Sequence, residues 1–98
     1  MLIGELAKKT KTKRPTLDRY VRLGLIPHEV NPENEYREFN GEAIKRVGLI
    51  RVLRKKPFRR RLEEIKEIFE KIPILKLEEK IKQSNEEALR LLSMNDLL

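Results

Sequence analysis

A chain of 98 residues is long enough for one domain of ordinary size but not two. Its 39% apolar residues argue against disorder, its 40% charged residues are unusually many, and its lack of cysteine excludes disulfides, thiolate metal sites and cysteine nucleophiles together. The net charge of +7 is uneven: residues 1–61 hold 17 Lys and Arg against 7 Asp and Glu, a net +10, while residues 62–98 are net −3. A basic front suits a polyanion, and an acidic tail is left for another task. The start, Met1-Leu2-Ile3-Gly4-Glu5, has no basic stretch leading into a long apolar one, and no apolar run is long enough to cross a bilayer. The expected location is the cytoplasm.

Ile3, Leu6, Ala7 and Thr10 recur at helical spacing, so the chain opens with a short amphipathic helix that Lys11-Thr12-Lys13 interrupts. A second helix starts at Arg14-Pro15, where the missing proline N–H breaks no helical bond, and Gly24 stops it. Leu17, Tyr20 and Val21 form its apolar side; Arg14, Thr16, Asp18, Arg19 and Arg22 form the other. Two short helices joined by about three residues fit a helix-turn-helix, and equally an ordinary helical hairpin.

Residues 25–39 read as a β-hairpin with a long polar loop, in which Tyr36 and Phe39 suit a half-buried sheet. Asn40 is a natural N-cap for a third helix that buries Ala43, Ile44, Val47, Ile50 and Leu53 and halts at Pro57. A cationic run, Arg54, Lys55, Lys56, Arg59, Arg60 and Arg61, straddles that break. The fourth helix turns Leu62, Ile65, Ile68 and Phe69 inward and is closed by Pro73. From Leu75 a last helix carries Leu77, Ile81, Ser84, Ala88 and Leu91 at alternating steps of four and three, a short heptad-like seam. Leu77, Ile81, Ala88 and Leu91 are its candidate dimerisation residues. A helix this short needs something to pack against, either a second copy or its own domain.

The run Ile3-Gly4-Glu5-Leu6-Ala7, Thr10, Thr16-Leu17, Tyr20, Arg22, Leu23-Gly24-Leu25-Ile26-Pro27, Tyr36-Arg37 and Phe39 resembles the N-terminal domain of MerR-family transcription regulators. Leu62-Glu63-Glu64-Ile65 resembles the start of that family's fourth helix. The resemblance implies a mostly α fold: a winged helix-turn-helix with a small β-hairpin wing, a helix pair forming a second wing, and a C-terminal helix. Residues 1–72 would be the DNA-binding domain and residues 73–98 a dimerisation helix. It further implies a homodimer that places the second helix in the major groove, presses both wings on phosphates and distorts the DNA between two half-sites.

Several positions depart from the family pattern. The usual turn glycine is Lys11, followed by Thr12, and a left-handed non-glycine there costs roughly 1 kcal/mol unless the turn changes shape. The common Arg-Tyr-Tyr reads Asp18-Arg19-Tyr20. Glu29, Glu33 and Glu35 at the hairpin tip would repel phosphate, so the tip is expected to point off the DNA. The segment from Ile50 to Leu62 is about two residues longer than the family's. No further ligand-sensing domain is expected after the last helix.

On this reading the DNA-binding residues are Lys13, Arg14, Thr16, Arg19 and Tyr20 from the helix-turn-helix, Arg37 from the first wing, and Lys56, Arg59, Arg60 and Arg61 from the second. Arg14 and Thr16 lie early in the second helix, the part that reaches base edges. Tyr20 suits core packing or a hydroxyl–phosphate contact. Catalysis is not expected: His28 is the only histidine, the glycines are scattered, and Glu63-Glu64 and Glu78-Glu79 diverge around their helices. No cofactor or metal is expected. The function expected is sequence-specific binding of double-stranded DNA by a MerR-like regulator without a sensing domain. Two alternatives are an excisionase-like architectural factor that bends DNA and an adaptor that docks a protein partner on its acidic C-terminal helix.

Overall fold

The computed structural model describes residues 1–56 and 58–83. In chain order these form α1 (Ile3–Thr10), α2 (Arg14–Arg22), β1 (Glu29–Val30), β2 (Arg37–Glu38), α3 (Gly41–Arg54), α4 (Leu62–Lys71) and α5 (Ile74–Gln83). The architecture is mostly α with one antiparallel hairpin, a winged helix-turn-helix. The chain divides into two compact units, Met1–Leu49 and Ile50–Leu98. The boundary between these units falls within α3.

In the first unit, α1 buries Leu6 and Thr10, and α2 buries Leu17, Tyr20 and Val21. The Thr10 hydroxyl donates to the Leu6 carbonyl at 2.7 Å, so a polar side chain is buried without an unmet donor. The turn has the expected length, and Lys11 adopts the left-handed conformation at φ 52°. Thr12 N–H donates to Ala7 O at 3.1 Å and Lys11 N–H to Lys8 O at 3.4 Å. This is the paired closure in which left-handed residues end helices, so the turn keeps its shape without glycine.

The same closure ends α2. Gly24, at φ 77°, donates to Val21 O at 3.1 Å, and Leu25 N–H donates to Tyr20 O at 3.0 Å. Leu25 and Ile26 then enter the core. Arg46 of α3 donates to the Leu25 carbonyl at 3.2 Å, tying this loop to the third helix.

The hairpin pairs Glu29 with Glu38 and Val30 with Arg37. Asn31 organises its loop: the side-chain oxygen accepts from Glu33 N–H at 2.9 Å, the backbone N–H donates to Tyr36 O and the carbonyl accepts from Glu35 N–H. Phe39 is buried as expected, but Tyr36 is 59% exposed. Tyr36 stands just before β2, and the two-residue strands bury neither of their positions, so the aromatic preference for half-buried sheet does not hold for Tyr36. At the hairpin base Phe39 exchanges two hydrogen bonds with Met1, N–H to O in each direction, both at 2.7 Å.

Asn40 caps α3 as expected, its side-chain oxygen accepting from Glu42 N–H at 3.0 Å. Ala43, Val47, Leu49, Ile50 and Leu53 are buried, whereas Ile44 is only half-buried. In the second unit α4 buries Leu62, Ile65, Ile68 and Phe69, the four residues its periodicity marks. Its first turn is closed by Glu64, whose carboxylate accepts from Arg61 N–H at 3.1 Å. α5 starts one residue earlier than expected, with Leu77 N–H bonded to Pro73 O at 3.0 Å. No described helix is long and apolar enough to cross a membrane.

The heptad seam needs a correction. Leu77 is fully buried within the single chain, so it is core and offers nothing to a second copy. Ile81 is half-buried. Ala88 and Leu91, like Pro57 and Ser84, lie outside the described residues.

Candidate nucleic-acid interface

With Leu17, Tyr20 and Val21 turned inward, the period of 3.6 residues sends Pro15, Arg19 and Arg22 furthest outward, flanked by Arg14 and Asp18 on one side and Thr16 on the other. Arg14, Arg19 and Arg22 are exposed, as is Lys13 at the N-cap, and Thr16 is half-buried. Among the described residues none of these four cations forms an ion pair. Tyr20 is 9% exposed. Of its two candidate roles, packing is the one on display.

Arg37 sits on β2 and reaches back to α2. Its Nη1 lies 3.3 Å from Asp18 Oδ1, with the two side chains 43% and 51% exposed. A groove of about 750 Å³ opens beside this pair, lined by Leu2, Ile3, Gly4, Glu5, Arg14, Asp18, Glu35, Tyr36 and Arg37. A second, of about 440 Å³, is lined by Pro15, Asp18, Arg22 and Arg37. Asp18 and Arg37 are the residues common to both. Of the tip acids, Glu35 therefore faces the larger groove, while Glu29 stands on β1 opposite Glu38.

The second cluster belongs to the Ile50–Leu98 unit. Lys56, Arg59 and Arg61 are exposed. Arg60 is only 22% exposed and pairs with Glu64, Nη1 to Oε2 at 3.8 Å. The segment is irregular but held: Arg59, left-handed at φ 45°, donates to Lys55 O at 2.9 Å, and Arg60 N–H donates to Leu53 O at 2.7 Å.

Sequence reasoning placed Arg22 on the outward side without naming it as a contact, although its i+4 relation to Asp18 was visible. The role of Asp18 was hidden, because its partner is 19 residues away on another element.

A buried-faced helix after a three-residue turn, with a hairpin arginine fastened to its outer side, defines the chain as a winged helix-turn-helix protein of the DNA-binding type. Residues 1–72 match the MerR HTH family of regulatory proteins, and the chain belongs to that family. The mercuric resistance operon regulatory protein of Bacillus cereus is 39% identical over 49 residues, 50% of this chain and 37% of that protein. The matched segment thus spans little more than a third of that relative's length. The crystal structure of the transcription regulator PbrR691 from Ralstonia metallidurans CH34, in complex with lead(II), has the same fold. Its TM-score is 0.64 at 24% identity, over 94% of this chain and 79% of that chain.

Proposed function

We propose that this chain is a cytoplasmic, homodimeric transcription regulator that binds double-stranded DNA in a sequence-specific way, with α2 as the helix that enters the major groove. In this reading Arg14 and Thr16 reach base edges, Lys13, Arg19 and Arg22 neutralise phosphates, and Tyr20 supports the helix from below. Arg37 serves the first wing; Lys56, Arg59, Arg60 and Arg61 serve the second. Residues 1–72 act as the binding domain, and residues 73–98 pair with a second copy. Leu77 being core, that pairing falls to Ile81, Ala88 and Leu91.

The observation that carries the reading is the outward face of α2, where three exposed arginines without acid partners among the described residues stand over a buried apolar face. A helix so presented fits a major groove. Unpaired cations release counterions when they meet phosphate, so neutralising roughly six to eight phosphates per dimer gives a log–log salt slope of about −5 to −7.

Selection of binding sites from a randomised duplex pool tests the proposal, followed by titration across salt. An inverted repeat with a steep slope is expected. Weak binding of every sequence alike would remove the sequence-specific role, and no binding at moderate salt would remove the DNA altogether. Sedimentation of an Ile81→Glu variant tests the pairing; a dimer that persists unchanged rules out α5 as the joint.

A further inference from the structure

Asp18 is an odd residue to find on a face meant for DNA, since a carboxylate is repelled by every phosphate it meets. Stability does not account for it. Both partners of the Asp18–Arg37 pair are about half exposed, and exposed pairs of this kind contribute little to folding. The pair is also incomplete. One guanidinium nitrogen meets one carboxylate oxygen, and among the described residues Asp18 has no other hydrogen-bond or ion-pair partner. A carboxylate accepts through two oxygens and about four lone-pair sites, so the second oxygen stays available in an open groove. Its position is one turn beyond Arg14, on the flank of α2 that lines both grooves.

A group that only accepts hydrogen bonds needs a donor. On the major-groove edges guanine offers acceptors alone, thymine an acceptor and a methyl group, and adenine a donor beside an acceptor. Cytosine offers its amino group with no acceptor of its own.

We infer that Asp18 is a specificity-determining residue that accepts a hydrogen bond from the exocyclic amino group of a cytosine, with Arg37 as the positioning residue that holds the carboxylate towards the groove. The inference rests on the reading of α2 as the groove helix and adds the base it selects. Guanine and thymine at the same place would set an acceptor against the carboxylate, so the acid discriminates by repulsion as well as attraction. The anion also weakens binding to right and wrong sites alike, so the base contact alone separates them.

The test uses the full chain and a randomised duplex pool, with wild type, Asp18→Ala, Asp18→Asn and Arg37→Ala selected in parallel. Each recovered site is then titrated with the chosen C·G pair exchanged for T·A and for G·C. Wild type should prefer cytosine at one position in each half-site by about fivefold or more. Asp18→Ala should lose that preference, keep the rest of the site and bind unrelated duplex more tightly. Asp18→Asn should move the preference towards adenine, whose edge suits an amide. Arg37→Ala should keep cytosine as the first choice with a narrower ratio, and an unchanged ratio would end its positioning role. Thermal midpoints close to wild type would show that the variants fold, as the exposure of both side chains leads one to expect.

Identical sites and base ratios for wild type and Asp18→Ala would overturn the inference while leaving α2 as the reader. A uniform gain of affinity with no change of site would also overturn it, since Asp18 would then only hold Arg37 away from phosphate. Failure of wild type itself to recover any common sequence would take down the groove-helix reading and this inference together.

Discussion

The cations of α2 and those of residues 55–61 differ in what holds them. On α2 they stand at fixed angles around a helix whose inner residues Leu17, Tyr20 and Val21 are buried, so the direction of each side chain follows from packing beneath it. In the second segment the backbone is irregular, fixed by single hydrogen bonds from Arg59 to Lys55 and from Arg60 to Leu53. Yet each region carries one acid–arginine pair, Asp18 of α2 with Arg37 of β2 and Glu64 of α4 with Arg60, and leaves its other cations unpaired among the described residues. A rigid face with fixed directions can discriminate bases, whereas charge placed without regular direction can only neutralise phosphate. The two clusters are therefore expected to respond differently when cut.

The largest effect should come from replacing Arg59, Arg60 and Arg61 together by Ala. Affinity should fall by at least tenfold and similarly for all duplexes, with the salt slope flattened by about 0.9 for each phosphate no longer neutralised. Anisotropy titration at several salt concentrations measures both. Unchanged affinity would remove the second segment from the interface and leave α2 to act alone.

Arg14→Ala should do the opposite: a change in preferred sequence costing about 1–3 kcal/mol at one base pair, with most of the salt slope intact. If this variant selects the same site as wild type and merely binds it less well, α2 behaves like the second segment and the contrast fails.

Both regions also place a non-glycine residue in the left-handed conformation, Lys11 in the turn and Arg59 in the segment, whereas α2 ends on Gly24. The closures at Lys11 and Gly24 share one hydrogen-bond pattern, so they can be compared directly. Gly24→Ala should lower stability by about 1–2 kcal/mol. Lys11→Gly should raise it, by less than about 1 kcal/mol because glycine loses more entropy on folding. Urea titrations give both values. Equal effects of the same sign would mean that the bonds, and not the torsion, set the cost.

What could be read beforehand follows from how local the cause is. The faces of α1, α2 and α4 were legible because spacing of three and four residues determines burial directly, and Asn40 because a cap acts two residues away. The hairpin was located, but the exposure of Tyr36 was not, since an aromatic's preference for sheet does not say whether it falls inside a two-residue strand or just before it. Leu77 was misread because a dimer seam and an internal core stripe share the same periodicity; only the location of the neighbouring chain separates them. The Asp18–Arg37 pair lay beyond local reasoning. Asp18 alone looked like an acid standing where the family carries an arginine, and its partner became visible only once the hairpin was folded against α2.

The smallest effect tests the floor of the reading helix. Tyr20 offers a ring to the core and a hydroxyl that could meet phosphate, and its 9% exposure favours the ring. Tyr20→Phe keeps the ring and removes the hydroxyl, so stability should stay within about 0.5 kcal/mol and affinity within about twofold of wild type. Matched urea and anisotropy titrations check the two separately. A clear loss of affinity at unchanged stability would return the hydroxyl to the interface, and the directions fixed by packing would then include one from the buried side of α2.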